Sequence, residues 1–171
     1  MKVSTRAHYG LRAMTSLADA YGRGLVSLAE IARAEALPLP YLEQLIGELR
    51  RANLVEGVRG LRGGYRLTRE PSRISVGEVY RVLEGEIAPV ECNAEGYAPG
   101  SCDREEGCLS RGVWARVRDS IAGVLDSTSL EDLAHHDPAY SPAARTLDRF
   151  VPVSSISGLN AAGKEGLRAS P

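Results

Sequence analysis

Cysteine is scarce in this chain: Cys92, Cys102 and Cys108 are its only thiols. An odd set of three excludes the paired framework by which small secreted domains offset a thin core. Aromatic residues are sparse too, at 5%, although a hydrophobic fraction of 43% is ordinary for a globular core. No run approaches the roughly 18 apolar residues of a membrane span. The opening MKVSTRAHYG also lacks the apolar core of a signal peptide. A cytoplasmic protein with no membrane partner is therefore expected. Three enzymatic signatures are missing: a base paired with a cysteine, a glycine-rich phosphate loop after a strand, and a carboxylate dyad. Those absences count against a metal- or thiol-dependent enzyme. The 171 residues suit one domain, or one domain with an appended element.

A net charge of −1 conceals an asymmetry. Residues 1–69 hold eleven Lys/Arg against six Asp/Glu, whereas residues 70–139 hold six against fourteen. A basic first third can meet a polyanion, and an acidic middle keeps clear of one.

The cysteines share one stretch, ECNAEGYAPGSCDREEGC, from Glu91 to Cys108. Its Gly, Pro, Asn and acidic residues have no helical or strand period, so a mobile loop is expected unless something holds it. Three thiols closing on a metal or a cluster would do so.

Residues 5–21 place Leu11, Met14, Leu17, Ala18 and Tyr21 at helical spacing, with Gly22 and Gly24 as the stop. Ser27 and Glu30 fit a capping box, flanked by Val26 and Ile31, for a second helix to about Ala36. Pro38 and Pro40 mark the next turn, and Pro40 suits a first helical position. A third helix from Tyr41 to about Ala52 turns Leu42, Leu45, Ile46 and Leu49 inward, leaving Glu43, Gln44, Gly47, Arg50 and Arg51 outside. Two short helices joined by a tight turn, the second with a polar and basic face, form a helix-turn-helix pattern.

Leu54–Val58 and Tyr65–Thr68 then read as hairpin strands around Arg59-Gly60-Leu61-Arg62-Gly63-Gly64. A hairpin tipped with arginine directly after a helix-turn-helix is a wing placed to enter a minor groove. Ser75 and Glu78 predict another capping box, opening a helix that Gly85 ends. Residues 109–126 form a longer helix with Val113, Val117, Ile121, Val124 and Leu125 on one stripe, a candidate for self-association. Thr128–Ala134 offers a last capped turn, and residues 137–171, rich in Pro, Ser, Gly and Ala, read as a disordered tail.

The expected architecture is mainly α with a small β-hairpin wing. Residues 1–84 are a winged helix-turn-helix domain, 85–108 a cysteine-bearing loop, and 109–136 a dimerisation helix with a capped turn. A homodimer would set two recognition helices on double-stranded DNA at a pseudo-palindromic operator. Tyr41, Glu43 and Gln44 would reach base edges. Arg59 and Arg62 would read the minor groove, while Lys2, Arg6, Arg50 and Arg51 neutralise phosphates.

The runs VSTRAHYGLRAM, LPYLEQLIGELRRANLV, VRGLRGGYRL and SVGEV resemble the Rrf2 family of bacterial transcription regulators. The three cysteines followed by CLSRGVW resemble its iron–sulfur branch, over about residues 1–135. That resemblance implies a homodimer holding an iron–sulfur cluster through Cys92, Cys102 and Cys108, 2Fe–2S being favoured over 4Fe–4S. It further implies a repressor sensing redox state, nitric oxide or cluster supply. Two departures stand out. Nine residues separate Cys92 from Cys102, a longer gap than that branch shows. Arg111 stands where one subgroup has a histidine ligand, and His8 falls where another has an acidic ligand from the partner chain. His8, a carboxylate such as Glu95 or Asp103, or an exogenous group could each complete the set. Zinc lacks its usual close cysteine pair here. A thiol switch is opposed by the carboxylates of Glu91, Glu95, Asp103, Glu105 and Glu106, which should keep the thiols protonated.

Overall fold

The computed structural model describes residues 3–60 and 63–134. Lys2, Arg62 and the expected tail at 137–171 lie outside the described residues.

Helix α1, Thr5–Asp19, starts where the Ser4 hydroxyl accepts the Ala7 N–H at 3.1 Å. It buries Ala7, Gly10, Ala13, Met14, Leu17 and Ala18, a 3.6-residue stripe. The helix ends before Tyr21, which is exposed rather than part of the stripe. Helix α2, Leu28–Ala34, opens on the expected reciprocal cap: Glu30 N–H reaches Ser27 Oγ at 3.2 Å, and Ser27 N–H reaches Glu30 Oε2 at 2.8 Å. Helix α3, Leu39–Arg51, begins two residues earlier than the pattern indicated. Pro40 accordingly takes the second position, not the first. Either place is free of cost, because the first four N–H groups have no partner in the helix. Leu42, Leu45, Ile46 and Leu49 are all buried, as their spacing requires.

Strands β1, Val55–Val58, and β2, Gly64–Leu67, pair antiparallel with Val55 opposite Leu67 and Val58 opposite Gly64. The hairpin is rooted by a bridge absent from any periodicity. Val26 N–H donates to Tyr65 O at 3.0 Å, and Tyr65 N–H returns to Val26 O at 2.8 Å. Gly64 permits that approach, since a Cβ there would stand 2.8 Å from the Val26 carbonyl oxygen.

Helix α4, Val76–Glu84, is capped by Ser75 Oγ, which accepts Glu78 N–H at 3.1 Å. The reciprocal half of that expected box is replaced, because the Glu78 carboxylate pairs with Arg69. Gly85, at φ +87°, closes the helix. Helix α4 packs on α1 through Gly10, where a Cβ would lie 2.1 Å from Leu83 Cδ1.

Helix α5, Arg111–Asp126, has no buried residue. Helix α6, Leu130–Ala134, then returns to the first domain. Val76 N–H donates to Thr128 O at 2.8 Å, and Leu130 N–H to Ile74 O at 2.9 Å. Leu130 is fully buried in the cluster that contains Met14, Leu17 and Ile74, a burial of about 1.5–3 kcal/mol. The turn after α5 thus completes the core built by the preceding helices and the hairpin. The architecture is mainly helical, with a helix-turn-helix followed by a two-stranded wing.

Candidate nucleic-acid interface and cysteine cleft

The outer face of α3 carries Glu43 and Gln44, both exposed within its first turns. Tyr41 is half-buried, its ring meeting Tyr9 edge-on at 6.0 Å. Arg50 and Arg51 are exposed in the last turn, where the helix dipole favours cations. Arg59 is exposed at the end of β1, and Gly60 follows it at φ +127°. Arg6 is placed differently from the other expected phosphate contacts. Its Nε donates to the Leu83 carbonyl at 2.6 Å and its terminal nitrogen pairs with Glu48, so it ties α1 to α3 and α4.

The cysteine stretch is held by the protein's own bonds, which corrects the expectation of a loop mobile by itself. Short 3-10 turns form at Glu91–Asn93 and Glu105–Gly107. Glu105 is the knot between them. Its carboxylate accepts the Gly100 N–H at 2.6 Å, the Tyr97 hydroxyl at 3.2 Å and Arg111 Nη1 at 3.0 Å. The Gly100 amide, then Tyr97 and Arg111, lower the Glu105 pKa. Burial and then Glu105 raise that of Tyr97, with Cys102 and Cys92 adding to the effect.

Between this loop and α5 lies an open cleft of about 610 Å³, lined among others by Cys92, Asn93, Tyr97, Cys108, Arg111 and Arg118. Cys102 is exposed and outside that lining. Cys108 Sγ stands 3.4 Å from Ser110 Oγ. The Ser110 hydroxyl and then the Ser110 and Arg111 backbone amides lower its pKa. At this sulfur the neighbouring donors act against the protonating influence expected of the acidic run. Asn93 is 8% exposed, and its side-chain Nδ2 is buried without a partner among the described residues. An unmet buried donor costs about 1–3 kcal/mol.

Cys92 and Cys108 line one cleft, and Cys102 stands apart from it. Among the described residues, no three His, Cys, Asp or Glu side chains are grouped to hold a metal. His8 is exposed on α1, its ring 5.9 Å from Tyr9. Asn93, Tyr97, Ser110 and Arg118 carry no recognisable spacing in sequence. Only the position of Ser110, two residues after Cys108 and just before α5, offered a signal.

Comparison with known proteins gives one family. A family model described as an iron-dependent transcriptional regulator, Rrf2, matches residues 3–136. The chain is 46% identical to the HTH-type transcriptional regulator CymR of Bacillus subtilis over 136 residues, 80% of this chain and 91% of that protein. It is 37% identical to the HTH-type transcriptional regulator IscR of Cereibacter sphaeroides over 153 residues, 88% of this chain and 98% of that one. Among solved structures, that of CymR, the global cysteine regulator of B. subtilis, aligns with a TM-score of 0.67 at 43% identity, covering 80% of this chain and 98% of that one. T. potens IscR aligns with a TM-score of 0.65 at 44% identity, covering 82% and 91%. A Staphylococcus aureus CymR described as the oxidized form aligns at 0.62 and 39%, covering 80% and 98%.

Proposed function

The chain belongs to the Rrf2 family of transcriptional regulators, and from that premise we propose a homodimeric repressor whose grip on DNA is set at its three cysteines. Each protomer offers the exposed start of α3 to a major groove. Gln44 can pair with adenine and Glu43 can accept from cytosine. Arg59 and Arg62 serve the adjoining minor groove, and Arg50 and Arg51 the phosphates. Two protomers meet along α5, whose Val113, Trp114 and Val124 are exposed together with the preceding Leu109. Pairing there covers an apolar face that water otherwise meets, and spaces two recognition helices for a pseudo-palindromic operator.

The observation that carries the sensing role is the cleft that Cys92 and Cys108 share at the start of α5. Cys92, Cys102 and Cys108 would hold an iron–sulfur cluster, with 2Fe–2S favoured and His8 of the second protomer as the fourth ligand. When bound, such a cluster supplies one-electron redox chemistry tuned by its ligands and hydrogen bonds. The chain's own contribution is mechanical. Arg111 and Arg118 fasten the loop to α5 through Glu105 and the Asn93 carbonyl. Any change at the sulfurs is thereby delivered to the helix that sets the spacing of the dimer.

A thiol-dependent regulator is the second reading, favoured by the lowered pKa of Cys108 and by the likeness to a cysteine regulator. Anaerobic isolation with iron, sulfide and visible-absorption measurements separates the two. Brown protein with stoichiometric iron and sulfide supports the cluster. Colourless protein that takes up neither, yet changes operator affinity on thiol oxidation, supports the second reading.

A further inference from the structure

Gly47 lies in the interior of α3, a place where glycine is the least favourable residue after proline. Nothing inside the protein requires it. Gly22, Gly24, Gly60, Gly85 and Gly100 have positive φ, whereas Gly47 keeps ordinary helical backbone. Gly10, Gly64 and Gly77 leave room for Leu83, the Val26 carbonyl and Asp126, each of which a Cβ would strike. A Cβ at Gly47 would meet nothing within 4 Å beyond the backbone of its own helix.

The glycine stands at the centre of the outer face. It follows Glu43 by four residues and Gln44 by three, and it precedes Arg50 by three and Arg51 by four. Residues at those spacings share one side of a helix. All four of these neighbours are exposed. With Glu48 paired to Arg6, the far half of the face is cationic at Arg50 and Arg51, which suits a polyanion. A glycine that neither packing nor backbone geometry calls for, ringed by side chains in water, clears the way for something outside to approach the backbone. A helix with its side chains is about 10–12 Å across and a DNA major groove about 12 Å wide, so one added side chain at the centre is felt.

We infer that Gly47 is a positioning residue, the point of closest approach between α3 and a major groove, which lets Glu43 and Gln44 reach base edges. This rests on the reading of α3 as the recognition helix. A side chain here would hold the helix off the groove and draw Glu43 and Gln44 away with it.

The test reads stability and affinity side by side, because a purely structural glycine would move them together. Wild type, Gly47→Ala, Gly47→Leu, Glu43→Ala and Gln44→Ala are prepared alike as full chains. The probes are a duplex enriched by wild-type protein from a random-sequence pool, and a scrambled duplex of equal length. Gly47→Ala is expected to be at least as stable to denaturant as wild type, because alanine favours helix. It should nonetheless bind the enriched duplex about tenfold or more weakly. Gly47→Leu should lose more. Affinity for the scrambled duplex, held through phosphates, should stay unchanged in both. Gly47 variants that keep wild-type affinity while Glu43→Ala or Gln44→Ala loses it overturn the inference and leave α3 as the reading helix. A less stable Gly47→Ala also overturns it, since the glycine would then serve the fold. So does an equal loss on both duplexes, which would set the effect apart from base reading. Affinity for the enriched duplex unchanged in all four variants overturns the inference and the reading of α3 together.

Discussion

Arg81 and Asp126 form a two-pronged ion pair, Nη1 to Oδ1 at 2.6 Å and Nη2 to Oδ2 at 2.9 Å, joining α4 to the last turn of α5. The pair raises the Arg81 pKa and lowers that of Asp126, in each case chiefly through the hydrogen bonds. Because the Asp126 pKa is depressed on folding, its contribution is present above the ordinary aspartate range. It is lost as pH falls through the lower folded value. Both side chains are about two-fifths exposed, so Arg81→Ala should cost no more than about 1 kcal/mol in thermal or denaturant unfolding. Gly77→Ala should match or exceed that loss, since a Cβ there would lie 1.9 Å from Asp126 Oδ1.

The proposed base-reading and phosphate-contacting residues of α3 can be tested separately. Glu43→Ala or Gln44→Ala should change which operator is preferred, by about 1–3 kcal/mol per base pair. Arg50→Ala should weaken all duplexes alike and lower the slope of log affinity against log salt by about one. Salt titrations on several operator variants would detect the reverse assignment.

Much of the reading domain was legible because its signals are local. Leu42, Leu45, Ile46 and Leu49 share a helical period, and Ser27 and Glu30 lie three apart, so each element announces itself. The bridge from Val26 to Tyr65 and the docking of Leu130 under Ile74 join distant segments, and no periodicity encodes them. At the cysteine cleft, the three thiols were visible as residue types. The hydrogen bonds that decide their behaviour were not. Counting carboxylates near Cys108 leaves out the Ser110 hydroxyl and the Ser110 and Arg111 amides, which lower its pKa.

The knot at Glu105 makes a direct prediction. Glu105→Ala frees the Gly100 amide, the Tyr97 hydroxyl and Arg111 together, so amide exchange and proteolysis between residues 95 and 107 should accelerate. Its folded pKa is lowered, so the same loosening should appear in wild type only as pH falls through and below the usual carboxylate range. Exchange rates indifferent to this substitution would place the hold elsewhere.

Ser110 should govern thiol reactivity. In metal-free protein, alkylation of Cys108 near neutral pH should slow on Ser110→Ala, because the hydroxyl that favours the thiolate is gone. Rates followed by mass spectrometry would contradict this if the variant reacted as fast as wild type.

The most direct test is operator affinity, measured anaerobically by fluorescence anisotropy on one preparation before and after its iron and sulfide are removed. Cys92→Ala, Cys102→Ala and Cys108→Ala are treated in parallel. Wild-type affinity is predicted to change by about tenfold or more, roughly 1.4 kcal/mol, while each variant keeps one affinity throughout. Wild-type protein that loads iron and sulfide, yet binds its operator equally well with and without them, would contradict control at the cysteines.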